Sequence, residues 1–264
     1  MGWFDLATIG YGTAIGIALG LTGGGGSIFA VPLLIYGLGA GVREAVGISL
    51  AAVGATALFG AVTRWRSGQL EFRTGLLFAG VGMLGAPLGT RIGEGLSPAT
   101  TLSAFAGIMV IAGIRMWRRK APKSEGRNSA CQRDDSGDLK WTSRCAVVLA
   151  LAGLVTGILS GIFGVGGGFI IVPALILTSG MGIHRAVATS LMVIALICAS
   201  GVASYLIAGS ELPPKLTGLF VTGGIVGMLG GNLLSSKISG PALNRVFAVG
   251  MWVVAGVVLA KNLM

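Results

Sequence analysis

Charge is scarce in this sequence. Only 11% of its 264 residues are Asp, Glu, Lys or Arg, against roughly a quarter in a soluble domain. No polar stretch is long enough to build a water-soluble domain. Acidic residues are missing from every apolar run: Asp5, Glu44, Glu71, Glu94 and Glu211 stand at run ends or in loops. A proton relay through buried carboxylates therefore lacks its usual carriers. The single histidine, His184, cannot assemble a metal cluster. Three cysteines (Cys131, Cys145, Cys198) are odd in number and show no CxxC pairing, so neither a metal site nor a disulfide is expected. No catalytic constellation stands out, and neither enzymatic activity nor a cofactor is expected. The first residues, MGWFDLATIGYG, lack the basic start and small-residue cleavage site of a signal peptide, so their apolar run is expected to stay as a membrane segment.

What the chain does have is apolar length. It is 53% hydrophobic with a mean hydropathy of +0.87, which points to an all-α polytopic membrane protein. Apolar segments run over 6–21, 28–38, 45–62, 75–92 and 101–117, then 146–162, 169–180, 186–208, 216–235 and 243–260. Most approach the roughly 20 residues that a hydrocarbon core demands. Segments 28–38 and 169–180 would reach only about 17 Å as helices, near half the membrane. The net charge of +10 does not imply nucleic acid, because eight Lys or Arg crowd into residues 118–144 and the others mark segment ends. The tryptophans mostly flank segments, as interfacial anchors do.

The two sets of five segments repeat each other. Gly23, Gly25, Gly26, Val31 and Pro32 recur 141 residues later as Gly164, Gly166, Gly167, Val172 and Pro173. At the same offset REAVGISL (43–50) matches HRAVATSL (184–191), and GMLGA at 82–86 echoes GMLGG at 227–231. The expected organisation is a first transmembrane repeat over 1–117, a basic cytoplasmic linker over 118–144 and a second repeat over 145–264. With the linker set aside, an inverted arrangement places Arg64, Arg66, Arg73, Arg185, Lys237 and Arg245 inside against Arg43, Arg91, Lys215 and Lys261 outside, six against four. A parallel arrangement gives five against five, so inverted repeats are expected, with Gly-broken half-helices near the mid-plane.

Consecutive glycines in lipid need a reason, since each unpaired backbone group there costs several kcal/mol unless it faces protein or a polar cavity. Close helix packing accounts for spaced glycines such as Gly12, Gly16 and Gly20, or Gly153, Gly157 and Gly161. It does not account for glycines in a row. A helix that starts inside the membrane presents unpaired N–H groups and the positive end of its dipole, and bare glycines leave them open to an anion. Gly24, Gly25 and Gly26, with Gly166, Gly167 and Gly168, are the candidate cradle. Thr22, Ser27, Ser49, Thr189 and Ser190 are candidate hydroxyl contacts, although each could bond back to its own helix. Arg91, His184 and Asn232 are candidates for gating or coupling. A nucleotide loop is excluded, because no Lys-Ser or Lys-Thr follows either run.

A duplicated Gly-rich break, an apolar stretch to Pro, a basic residue, A-V-x-x-S-L and a late GMLGAPLGTR together resemble the sulfite exporter TauE/SafE family over essentially the whole chain. The resemblance implies a multi-pass protein of the bacterial inner membrane that moves small sulfur-containing anions such as sulfite, sulfoacetate and other sulfonates, with export as the first expectation. Alternatives are an anion channel and an uptake transporter for another small organic anion. The implied partners are the anion and the lipid bilayer; a homodimer is allowed, nucleic acid is not, and no metal or other cofactor is implied.

Overall fold

A computed structural model describes residues 2–94, 106–108, 110–111, 113–114, 117–118, 131, 142–163, 168–207, 209, 211–239, 242, 245, 248–253 and 255–256. Most of the linker, most of the fifth apolar segment and residues 164–167, including Gly166 and Gly167, lie outside the described residues. The elements are α1 (Trp3–Thr22), α2 (Ser27–Pro32), α3 (Val42–Arg66), α4 (Phe72–Glu94), α5 (Ser143–Phe163), α6 (Gly168–Ser179), α7 (Ile183–Ile207) and α8 (Pro214–Lys237). Among the described residues there is no strand. Five helices among the described residues are long and apolar enough to cross a membrane, over Phe4–Thr22, Glu44–Arg66, Phe72–Gly89, Ile183–Ile207 and Pro214–Ser235.

The short elements follow the two glycine runs. Pro32 closes α2, and the chain continues as a π-helical turn, Leu33–Gly37. Proline lacks the N–H that an α-helical bond would use and crowds the carbonyl one turn back, which accounts for the wider turn. Its counterpart Pro173 sits inside α6, which stays α-helical over 12 residues. The duplication in sequence therefore does not carry over to identical backbone.

Glycine contacts give the helix directions. Gly12 of α1 lies against the backbone of Phe220 on α8, Gly16 against Gly224 and Gly20 against Gly231, so α1 and α8 run parallel. The ion pair between Asp5 and Lys215 (3.0 Å) joins their first turns. In the same way Gly153 and Gly157 of α5 lie on Phe78 and Gly82 of α4, again parallel. The central pair is opposite: Gly47 of α3 meets Tyr205 of α7, Gly54 meets Cys198 and Gly60 meets Leu191. The spaced glycines thus let backbones touch where lipid supplies no hydrophobic drive for helix pairing. The core gathers on α7, where Ala186 to Leu191 are fully buried, together with Ile48 and Ala57 of α3.

One expectation is corrected. Cys131 and Cys145 form a disulfide across a separation of 14 residues, and only Cys198 is free. The start of α5 turns Cys145 inward, and both cysteines are buried beside Leu149 and Leu77. Motif spacing and an odd count gave no sign of this, because the pair is made by the place where the linker rejoins the helices.

Candidate functional site

The break after α1 is held from three sides. Gly23 takes a left-handed conformation (φ 71°) and its N–H closes the helix on the carbonyl of Leu19 (2.7 Å), the glycine-favouring end of a helix. A side chain on Gly23 would run into Val187 and Ser190 of α7, and one on Gly26 into the α1 backbone at Ile15 and Leu19. Gly24 touches Gly168, the first residue of α6, backbone to backbone. The two breaks of the sequence thus meet each other at Gly24 and Gly168.

The candidate hydroxyls turn out to be fasteners of this geometry. Thr22 Oγ1 donates to Ala18 O (2.6 Å) and accepts the Gly25 N–H (2.9 Å). Ser27 Oγ donates to Gly24 O (2.7 Å), and Ser49 Oγ to Val46 O in its own helix (3.1 Å). Ser190 Oγ lies 2.7 Å from Gly23 O and 2.9 Å from Val187 O, which ties α7 to the break. A hydroxyl has one proton to donate, and in these four residues it points at a backbone carbonyl. Thr189 is fully buried and accepts the Glu71 N–H (3.2 Å), fastening the α3–α4 loop to α7. Glu71 is further held by the Thr74 hydroxyl (3.1 Å) and by Arg185 (3.7 Å).

Backbone donors are what the break still offers. Among the described residues, bonds made there use the N–H groups of Gly23, Gly25, Ser27 and Phe29, and not those of Gly24 and Gly26. Gly166 and Gly167 lie outside the described residues, and so does the side chain of Arg91, whose backbone falls in the last turn of α4.

Asn232 does bear on the site, though through a residue that charge counting set aside as a loop cation. Arg64 is only 6% exposed. Its Nε donates to Asn232 Oδ1 (2.9 Å), and its Nη2 to Gly20 O (2.7 Å) and Ser235 Oγ (3.3 Å). Asn232 Nδ2 in turn donates to Thr63 Oγ1 (3.0 Å). His184, half-buried at the start of α7, lies within electrostatic reach of Arg64. The helical phase held the missing signal: Val53, Ala57, Gly60 and Arg64 share one face, and that face is buried.

A cavity of about 840 Å³ between α3, α4 and α7 is lined by none of these groups. Leu50, Leu58, Leu76, Leu196 and Leu206 are among its walls and no charged side chain lines it, so it offers an anion nothing.

Long apolar helices around a broken, polar-backbone centre define a multi-pass membrane protein, and the comparisons with known proteins make it a transporter. The sulfite exporter TauE/SafE family matches residues 8–258, and the chain belongs to that family. A probable membrane transporter protein of Xylella fastidiosa (strain 9a5c) is 36% identical over 263 residues, covering 97% of this chain and 95% of the relative. The probable membrane transporter protein YdhB of Bacillus subtilis is 27% identical over 202 residues, covering 74% and 76%. Another probable membrane transporter protein, from Methanocaldococcus jannaschii, is 27% identical over 205 residues, covering 76% and 72%.

Proposed function

We propose that the protein is a secondary transporter that exports small sulfur-containing anions, sulfite or sulfonates such as sulfoacetate, across the bacterial inner membrane. The observation that carries this reading is the meeting of Gly24 with Gly168, which brings the two breaks to one place inside the bundle. Backbone N–H groups freed there, including those expected at Gly166 and Gly167, would hold the anion, with the hydroxyls of Thr22, Ser27 and Ser190 fixing the backbone that presents them. The family supports a sulfur anion as the cargo. The antiparallel course of α3 and α7 supports inverted repeats, because these are equivalent helices of the two halves and run in opposite directions. Alternating access would come from one group of helices moving about the contact between the breaks. The test is exchange in liposomes. Vesicles loaded with unlabelled sulfite or sulfoacetate should take up the ³⁵S-labelled anion with saturation; uptake equal to protein-free vesicles for every sulfur anion would end this reading.

The linker, with its eight Lys or Arg, is placed in the cytoplasm by the same proposal. Reducing the Cys131–Cys145 disulfide should lower stability by about 2–4 kcal/mol, read as a lower melting temperature of the purified protein with dithiothreitol; an unchanged melting temperature would contradict a structural role for the pair.

A further inference from the structure

A guanidinium carries five N–H donors and a charge that is never lost at physiological pH. Three of those donors in Arg64 are engaged, one on Nε and two on Nη2, by Asn232, Gly20 O and Ser235. The two on Nη1 make no hydrogen bond among the described residues, and no described carboxylate pairs with Arg64. The residue is nonetheless only 6% exposed, and Nη1 is not among the fully buried polar atoms left without a partner, so its two donors face accessible space. A buried cation with no counter-charge is unfavourable unless something else compensates it. Here compensation is partial: the Gly20 carbonyl belongs to the last turn of α1, at the negative end of that helix dipole.

We propose that Arg64 binds the transported oxyanion, with Nη1 donating to one or two of its oxygens. This deepens the functional reading above and rests on it. Gly20 lies one turn before Gly23, so Arg64 stands at the end of α1 that opens into the break. It brings there the full charge that the hydroxyls cannot, since their protons are already bonded to carbonyls. The cation is not duplicated: 141 residues later stands Tyr205. Arg64 also closes α3 at the face where α4 begins and where α5 starts beside Leu77. The anion therefore meets a full positive charge at the face where the linker rejoins the bundle, beside the backbone dipoles of the break.

Arg64→Lys separates binding from architecture. Lysine has three donors, and Asn232, Gly20 O and Ser235 can take all three, leaving charge and scaffold but no donor for an anion. Purified wild-type and Arg64→Lys proteins would be melted with rising sulfite, sulfoacetate, sulfate and lactate, since a ligand of the folded state raises apparent stability. The expected result is a similar melting temperature without anion and an apparent Kd raised about tenfold; Arg64→Gln should lose the anion response altogether. Folded Arg64→Lys that binds as tightly as wild type overturns the assignment, whether or not Arg64→Gln can be recovered, and leaves the transport reading standing. If only lactate stabilises the wild type and Arg64→Lys weakens that, Arg64 stands and the sulfur reading falls. No response of the wild type to any anion overturns both.

Discussion

Gly24→Ala is expected to abolish anion exchange and to lower stability by about 1–3 kcal/mol, the usual range for forcing a methyl group into a filled core. The new Cβ would collide with the carbonyl of Gly168, and backbone on both sides cannot swing away as a side chain can. The breaks would have to part, and with them the backbone donors that the anion needs. Gly25→Ala makes the informative contrast. Its Cβ would meet chiefly the Thr22 hydroxyl, which can rotate at the cost of one capping bond, about 1 kcal/mol. Exchange in Gly25→Ala should persist at a reduced rate. Melting curves and liposome exchange on both variants check the pair; a fully active Gly24→Ala would mean that the breaks do not meet at this residue.

Gly16→Leu should have the largest effect on folding. Its Cβ would fall on the Gly224 carbonyl and the Met228 N–H of α8. Between membrane helices the attraction is mainly packing, so prising α1 off α8 removes what holds them together. The expected outcome is loss of most folded protein after extraction, measured as the monodisperse fraction in gel filtration. Gly80→Ala serves as the control. Nothing lies within 4 Å of its added methyl group, and alanine favours the helix by about 1 kcal/mol; its yield should equal or exceed that of wild type. Equal yields for Gly16→Leu and wild type would contradict the parallel pairing of α1 with α8.

Apolar run length was enough to find the helices among the described residues. The runs 45–62 and 216–235 reappear inside α3 and α8, and the runs at 28–38 and 169–180 as the short elements around Pro32 and Pro173. Glycine spacing was equally legible, because a backbone contact needs a bare Cα on one face and shows itself in the sequence. The side chains at the centre were less so. Whether Ser190 aims its proton at an anion or at Gly23 O depends on where α7 lies against the break, and no local pattern encodes that. Arg64 was counted as a loop cation because it follows an apolar run, whereas α3 continues through Arg66 and turns Arg64 inward while Trp65 and Arg66 stay exposed. The disulfide escaped for a related reason, since its two cysteines are neighbours only once the linker has returned to α5.

The central claim is that the anion sits where the two breaks meet, beside Arg64. Selenite, an isostere of sulfite with a strong anomalous signal, locates the anion directly in crystals of the protein. The account predicts an anomalous peak within hydrogen-bond distance of the backbone at Gly24–Gly26 and of Arg64 Nη1. A peak elsewhere in the bundle, with the break empty, would contradict it.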